Sequence, residues 1–341
     1  MKSYIIPRVF QDNPSGAEQI QVGDQVIKNG LIKTFLPNGG WLVSESDVAL
    51  AGTNYCVDSA NGSDGADGLT WETALATIGT ALTYAVAGDR ILVKGSFSEV
   101  VTIAAAQTGI AIIGVGTGPN QAVWTSDADT VSLTIEATDC LLLNLKFRPP
   151  AYSAGTPAAI QLGSSTNNTA AYTRISGCRF QGKTGSYIAI YAPVPTDNVV
   201  VVGNEFFYLN NITTVYGTAI LGVQDGSYNA FSSWIIKNNL FVAPVQGIKL
   251  PGRHCQILGN HFEVNGLKAD GTLGAVTGSA GSKKMINLSG NGSECNCNQV
   301  HGNWLGGTYS RTLYTQAYLT SDLDDWAGNY KISGLTTANP A

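Results

Sequence analysis

A chain of 341 residues in which 44% of the side chains are hydrophobic and only 13% charged has the opposite balance to a disordered protein, so a large buried core is expected. A formal net charge of −5, with 19 scattered Lys and Arg residues, gives no electrostatic footprint for nucleic acid. No apolar run approaches the ~20 residues of a membrane-spanning helix, so neither nucleic acid nor a membrane is an expected partner.

Residues 1–54 come first and carry no internal repeat. IIPRVF, IQVGDQVI and GGWLVSE read as short strands separated by Gly and Pro turns, which makes this a separate N-terminal segment. The apolar patch in MKSYIIPRVF is too short for the apolar region of a signal peptide. Export, if it occurs, is expected through lysis or assembly into a larger particle.

Residues 55–103, YCVDSANGSDGADGLTWETALATIGTALTYAVAGDRILVKGSFSEVVTI, are the most informative stretch. A strand at Tyr55–Asp58 runs into an Asp/Gly/Asn-rich loop. Leu75, Ile78, Leu82 and Val86 then follow at helical spacing, predicting a short helix with one buried face. Gly88-Asp89 ends it, and Arg90–Val93 reads as the next strand. The pattern of Tyr-Val-Asp, Asn-Gly-Ser-Asp, Trp-x-Thr-Ala, Thr-Ile, Gly-Asp-x-Ile-x-Val, Gly and a closing Glu-x-Val-x-Ile resembles the entry cap of pectin-lyase-like right-handed parallel β-helix proteins. Here Cys56 is an insertion in the pattern and Phe97 stands for its Tyr. The resemblance implies an all-β solenoid beginning with a capping helix.

Downstream, one unit recurs: an apolar residue, then Gly-Asn or a variant, then Phe. It begins at Ile112 (IIGVGT), Leu142 (LLNLKF), Ile175 (ISGCRF), Val201 (VVGNEF), Ile236 (IKNNLF), Ile257 (ILGNHF) and Val300 (VHGNWL). The steps vary between 21 and 43 residues, which suits a solenoid coil with loop insertions better than a strictly periodic array. Strand alternation turns the first apolar residue and the Phe inward, with Gly or Asn at a bend between them, where Asn tolerates left-handed geometry and bonds its own turn. Stacking the units places Asn204, Asn239, Asn260 and Asn303 in one column, a predicted amide ladder, with Leu145 and Cys178 in the same slot earlier. The reading is roughly seven to nine coils over 55–307, including a cap at 55–95.

Insertions are expected at 149–170, 222–232 and 266–290. Residues 308–341 stop following the unit and are read as a closing region, in which Trp326, Tyr330 and Ile332 could plug the open end or touch a partner subunit. The six cysteines, at 56, 140, 178, 255, 295 and 297, read as buried structural thiols, with disulfides or a metal site as the alternatives.

Chemistry is sparsely signalled. The outward position between the ladder slot and the Phe reads Lys146, Arg179, Glu205, Leu240, His261 and Trp304. Arg179, Glu205 and His261 are therefore the candidate catalytic trio, with a mixed-charge solvent face as the plainer reading. Asp58, Asp64 and Asp67 lie in the cap loop as turn residues, with a Ca²⁺ site as the alternative. Asp322, Asp324 and Asp325 are read as capping a turn outside the solenoid face. Glu136 and Asp139 flank the Leu133–Ile135 strand with no matching acid one coil later, and His254 beside Arg253 reads as a loop pair. No metal or cofactor signature is present.

The cap, the separate N-terminal segment and the shortness of the solenoid resemble tailed-bacteriophage virion proteins: capsid decoration proteins, head fibres and tailspikes. That resemblance implies a structural, virion-located protein, often a homotrimer, docking on other capsid or tail proteins through residues 1–54, with a surface glycan as a further candidate partner. The competing class is a polysaccharide-degrading protein, either a depolymerising tailspike or a secreted lyase or glycoside hydrolase.

Overall fold

The computed structural model describes strand segments 9–10, 25–28, 31–35 and 41–43, and then residues 52–116, 121–125, 130–148, 158–164, 169–182, 188–208, 218–224, 230–242, 246–263, 266–267, 273–274, 286–288, 297–306, 324–331 and 334–336. Met1–Thr53 form one compact unit and Asn54–Ala341 another. In the first, Val9–Phe10 pairs parallel with Gln25–Lys28, which continues antiparallel through Leu31–Phe35 to Trp41–Val43. The strand Leu31–Phe35 was not foreseen.

The second unit is a right-handed parallel β-helix with three long sheets. The first sheet stacks ten strands, running from Asn54–Asp58 and Arg90–Lys94 through Leu141–Leu143 and Val200–Val202 to Gln299–His301 and Asp325–Ala327. The second begins at Ser96–Phe97 and includes Lys146–Phe147, Arg179–Gly182, Glu205–Tyr208, Leu240–Val242, His261–Glu263, Trp304–Gly306 and Asn329–Lys331; Gly334–Thr336 folds back antiparallel on its last rung. The third contains seven strands, among them Leu133–Ile135, Ala158–Leu162, Ile188–Ala192 and Ile286–Asn287.

Register follows the sequence unit. Ile112, Leu142, Ile175, Val201, Ile236, Ile257, Val300 and Trp326 sit over one another in the first sheet, all buried. In the second sheet the inward rings form a continuous pile. Successive centroids from Trp124 through Phe147, Phe180, Phe206 and Phe241 to Phe262 lie 5.7, 5.2, 4.9, 4.6 and 4.5 Å apart. That spacing converges on the ~4.8 Å between neighbouring strands, so the backbone repeat itself stacks the rings.

The bend between the first two sheets explains the Gly-Asn signature. Its first residue takes a left-handed conformation: Gly177, Gly203, Gly259, Gly302 and Gly328 have φ of 58–64°, and Asn144 and Asn238 stand there at 55°. Only Gly, and Asn with less ease, adopts this geometry routinely. The ladder residue follows it and is not left-handed, which corrects the expectation that the ladder asparagines make the bend and bond their own turn. A second left-handed column precedes the first sheet, at Asp139, Tyr172, Asn198, Ser233, His254 and Cys297.

The ladder amides bond to the neighbouring coils. The Oδ1 of Asn239, Asn260 and Asn303 each accepts both the backbone N–H and one Nδ2–H of the ladder residue on the preceding coil, at 2.9–3.0 Å. The second Nδ2–H of Asn204, Asn239, Asn260 and Asn303 donates to the carbonyls of Ile175, Val201, Ile236 and Ile257. Asn204 Oδ1 takes the backbone N–H of Cys178 at 2.8 Å, and Asn329 extends the column by one more rung.

The expectation for 308–341 needs correcting. WAGNYK carries the unit in disguise, with Trp326 at the inward apolar position and Asn329 in the ladder, so these residues form another rung. Nor do Asp324 and Asp325 lie outside the solenoid. Asp325 opens a first-sheet strand, while buried Asp324 accepts from Asn298 N and Nδ2 at 2.8 and 3.0 Å. Asn298 in turn receives the Cys255 backbone N–H at 2.9 Å, a second and shorter ladder. The insertion ranges also hold rungs: Ala158–Leu162 lies within 149–170, and buried Phe231, Ile286 and Leu288 lie within the other two. Asp322 and Ile332 fall outside the described residues.

At the entry, Leu75 bridges in parallel to Val57 and covers the open edge of the first strand. The helix α1 spans Ile78–Tyr84 with Thr77 as N-cap. Glu99 Oε1 and Oε2 accept the Ile78 and Gly79 N–H groups at 2.9 and 2.8 Å, satisfying two donors that a helix start leaves open. Val86 lies beyond α1 and is exposed, so the apolar face is shorter than its spacing suggested.

Cys56, Cys140, Cys178 and Cys255 are buried and free; Cys297 is free and exposed; Cys295 lies outside the described residues. Burial pushes the Cys140 and Cys178 thiols up to about 12. Thiolate is the reactive form. A maleimide added to the folded chain is therefore expected to label Cys297 among these five, and the other four only after denaturation; peptide mapping reads the outcome.

Candidate functional site on the second sheet

Alternation along the second sheet sends one column of side chains outward while the rings point in. Its register runs Ser96, Val123, Lys146, Arg179, Glu205, Leu240, His261, Trp304, Tyr330. Two residues further on, Arg148, Gln181, Phe207, Val242 and Glu263 continue the same register.

Within the predicted trio, Arg179 and Glu205 meet. Arg179 Nε lies 2.5 Å from Glu205 Oε2, and the guanidinium sits 5.5 Å from the Phe207 ring centroid. With side chains 41% and 38% exposed, the pair is solvated and contributes about 1 kcal/mol at most. His261 does not join it, because the Leu240 strand intervenes and leaves about 9.6 Å between the Glu205 and His261 strands. Instead His261 stacks with Trp304 at 6.2 Å, and Trp304 with Tyr330 at 5.8 Å; these last two are 48% and 43% exposed.

The first half of the face is cationic. Lys146 lies directly beside Arg179 in register, and Arg148 Nε donates to Gln181 Oε1 at 3.0 Å. Burial, then the charges of Arg148 and Arg179, hold the Lys146 ammonium below the ordinary lysine range. The sequence reading named Lys146 and Arg179 as column neighbours but passed over Arg148, Gln181 and Phe207. The signal for them was available, since strand alternation returns to the same face two residues on.

The cap-loop acids behave as turn chemistry. Asp58 accepts from the Ala60 and Asn61 N–H groups, from Asn61 Nδ2 and from Lys94 Nζ at 3.0 Å. Asp64 takes the Ala76 and Thr77 N–H groups and the Thr77 hydroxyl, while Asp67 takes the Leu69 N–H and the Thr73 hydroxyl. Among the described residues no group of three such side chains is placed to hold a metal ion. Likewise no described helix is long and apolar enough to cross a membrane.

Burial pushes the Asp58 carboxyl up, but the bonds from Asn61, Lys94 and the Ala60 and Asn61 backbone outweigh it and pull the group down to about 2. The sign follows from linkage. A depressed carboxylate lends stability that is complete above its unfolded value near 3.9 and is lost as pH falls toward 2. Asp58→Asn is expected to flatten the fall in melting temperature between about pH 4 and pH 2; an unchanged acid limb would refute this account.

No family model matches the chain, and no curated protein matches it. Among solved structures it is similar to a rhamnogalacturonan lyase (10% identity, TM-score 0.43, covering 82% of this chain and 61% of that one). It is also similar to a GH136 lacto-N-biosidase from Eubacterium ramulus (12%, 0.48, 82% and 56%) and to ORF18 of Geobacillus virus E2 (13%, 0.36, 97% and 71%). The chain thus spans less than two thirds of the length of either enzyme. Carbohydrate-active and viral proteins stand side by side in this set.

Proposed function

We propose that this chain is a structural protein of a tailed-bacteriophage particle (a capsid decoration, head fibre or tail-attached spike) that oligomerises through a solenoid face and docks through residues 1–54. The observation that carries this reading is the outer face of the first sheet. Leu141, Val200 and Ile235 share one outward column with Arg174, and Ile113, Leu143, Val202 and Leu258 share another with Ser176 and Lys237. Parallel sheets are ordinarily covered on both faces, and an outer face this rich in branched aliphatics, interrupted by Arg174, Ser176 and Lys237, is a surface that a neighbouring subunit would cover. A homotrimer of solenoids packed side by side meets that need.

Light scattering on the full chain should give an oligomer mass, and Leu143→Glu should reduce it to the monomer. Immunogold labelling of tailed particles with an antibody to the chain tests the location. A monomeric parent chain, or label absent from particles, would overturn the proposal.

A polysaccharide lyase or glycoside hydrolase is the second reading, carried by the Arg179–Glu205 pair. Hydrolysis of a glycosidic bond wants two carboxylates about 5–9.5 Å apart. In the outward column Glu205 is the only one and is committed to Arg179, and Glu263 lies two strands, about 9.6 Å, and two residues further along, so the structural reading is preferred.

A further inference from the structure

We propose that the outer face of the second sheet, at the coils bearing Lys146, Arg148 and Arg179, binds the carboxylate or phosphate groups of an acidic glycan chain. Three cations stand on two consecutive rungs, and among the described residues Glu205 is the one carboxylate paired with any of them. Lys146 has no carboxylate partner among the described residues. Like charges side by side across strands destabilise a sheet. A chain of net charge −5 nevertheless concentrates them here, and the desolvated, crowded Lys146 ammonium registers the strain. An anion laid across the two rungs would relieve it through charge-assisted bonds.

The rest of the face specifies the kind of anion. Downstream of the cations the same strip carries Phe207, Leu240, Val242 and the His261–Trp304–Tyr330 stack, with Glu263 next to Val242 in register. An extended ligand therefore meets cations first and a mainly apolar and aromatic surface afterwards, with Glu263 at its margin, matching a sugar chain whose acidic groups lie at one end and whose C–H faces follow. An acidic peptide would more readily add to a sheet edge through its backbone. Here the rungs are interior to a ten-stranded sheet, so their amides are already used and recognition falls to side chains. The inference does not depend on the particle assignment.

Calorimetric titration of the full chain with a sialic acid tetramer and a tetragalacturonate tests it, with maltotetraose and an oligoglutamate as controls. At least one acidic glycan should bind, more weakly as salt rises from about 0.05 to about 0.3 M, while maltotetraose should not. Lys146→Gln with Arg148→Gln should weaken binding about tenfold or more; Lys249→Gln on the third sheet should leave it unchanged. Glu205→Gln should strengthen it by releasing Arg179. If the double variant fails to fold, protection of Lys146 from acetylation by the bound tetramer in the unaltered chain decides the matter. Absence of saturable glycan binding, indifference to the double variant, equal binding of oligoglutamate, or weakening by Glu205→Gln would each overturn the proposal.

Discussion

Asn260→Leu should be among the most destabilising single substitutions in the solenoid, although it exchanges a buried polar side chain for an apolar one of similar shape. Asn260 satisfies the Asn239 N–H and one Asn239 Nδ2–H through its own Oδ1, and the Ile236 carbonyl and Asn303 Oδ1 through its Nδ2. Leucine would leave the Asn239 N–H, one Asn239 Nδ2–H and the Ile236 carbonyl without that partner, while Asn303 Oδ1 keeps the backbone N–H of residue 260. Each buried group left unpaired costs about 1–3 kcal/mol, so a loss of roughly 4 kcal/mol or more is expected. Hydrogen exchange should localise the damage to coils 236–263 before global melting. The Leu145 slot shows that leucine fits the column sterically, which isolates the polar contribution. A melting temperature within about 1 °C of the parent would refute the ladder's energetic role.

Phe206→Ala is the second. The ring lies between Phe180 at 4.9 Å and Phe241 at 4.6 Å, nearly parallel to both and fully buried. Removing it leaves a cavity that neighbours fixed by strand register cannot fill, at about 3–5 kcal/mol for a core Phe→Ala change. Phe206→Leu should recover a good part of that. Denaturant midpoints of the two variants order the effects; equal midpoints would mean that volume at this site matters little.

Both sites were legible before any coordinates, because the short unit holds one inward residue of the first sheet, the bend, the ladder slot and the inward ring of the second. Everything outside that window was harder to see. Third-sheet strands such as Ala158–Leu162 lie in Gly/Ser/Thr-rich stretches that look like loops, and they share no marker with the unit. The shorter ladder was invisible because its slot holds Thr173, Val199 and Trp234 before it reaches Cys255 and Asn298; nothing in such a column repeats. Asn329 was missed because Trp326 replaced the small aliphatic that normally announces the unit. On the candidate site, the pairing of Arg179 with Glu205 followed from counting residues along strands. That His261 would stack with Trp304 did not follow, because the register fixes adjacency and leaves the choice between neighbours above and below to side-chain packing.

The corner that follows the second sheet has a consequence of its own. Between Val242 and Gln246 the chain crosses to the third sheet almost at once, whereas one coil later it runs from Glu263 to Ile286, with strand partners preserved on either side. Length at that corner is uncoupled from rung alignment. Lineages descended from this sequence can lengthen, shorten or exchange what they display along that one edge while the stacked interior stays as it is, so diversity among them should accumulate there as a seam parallel to the long axis.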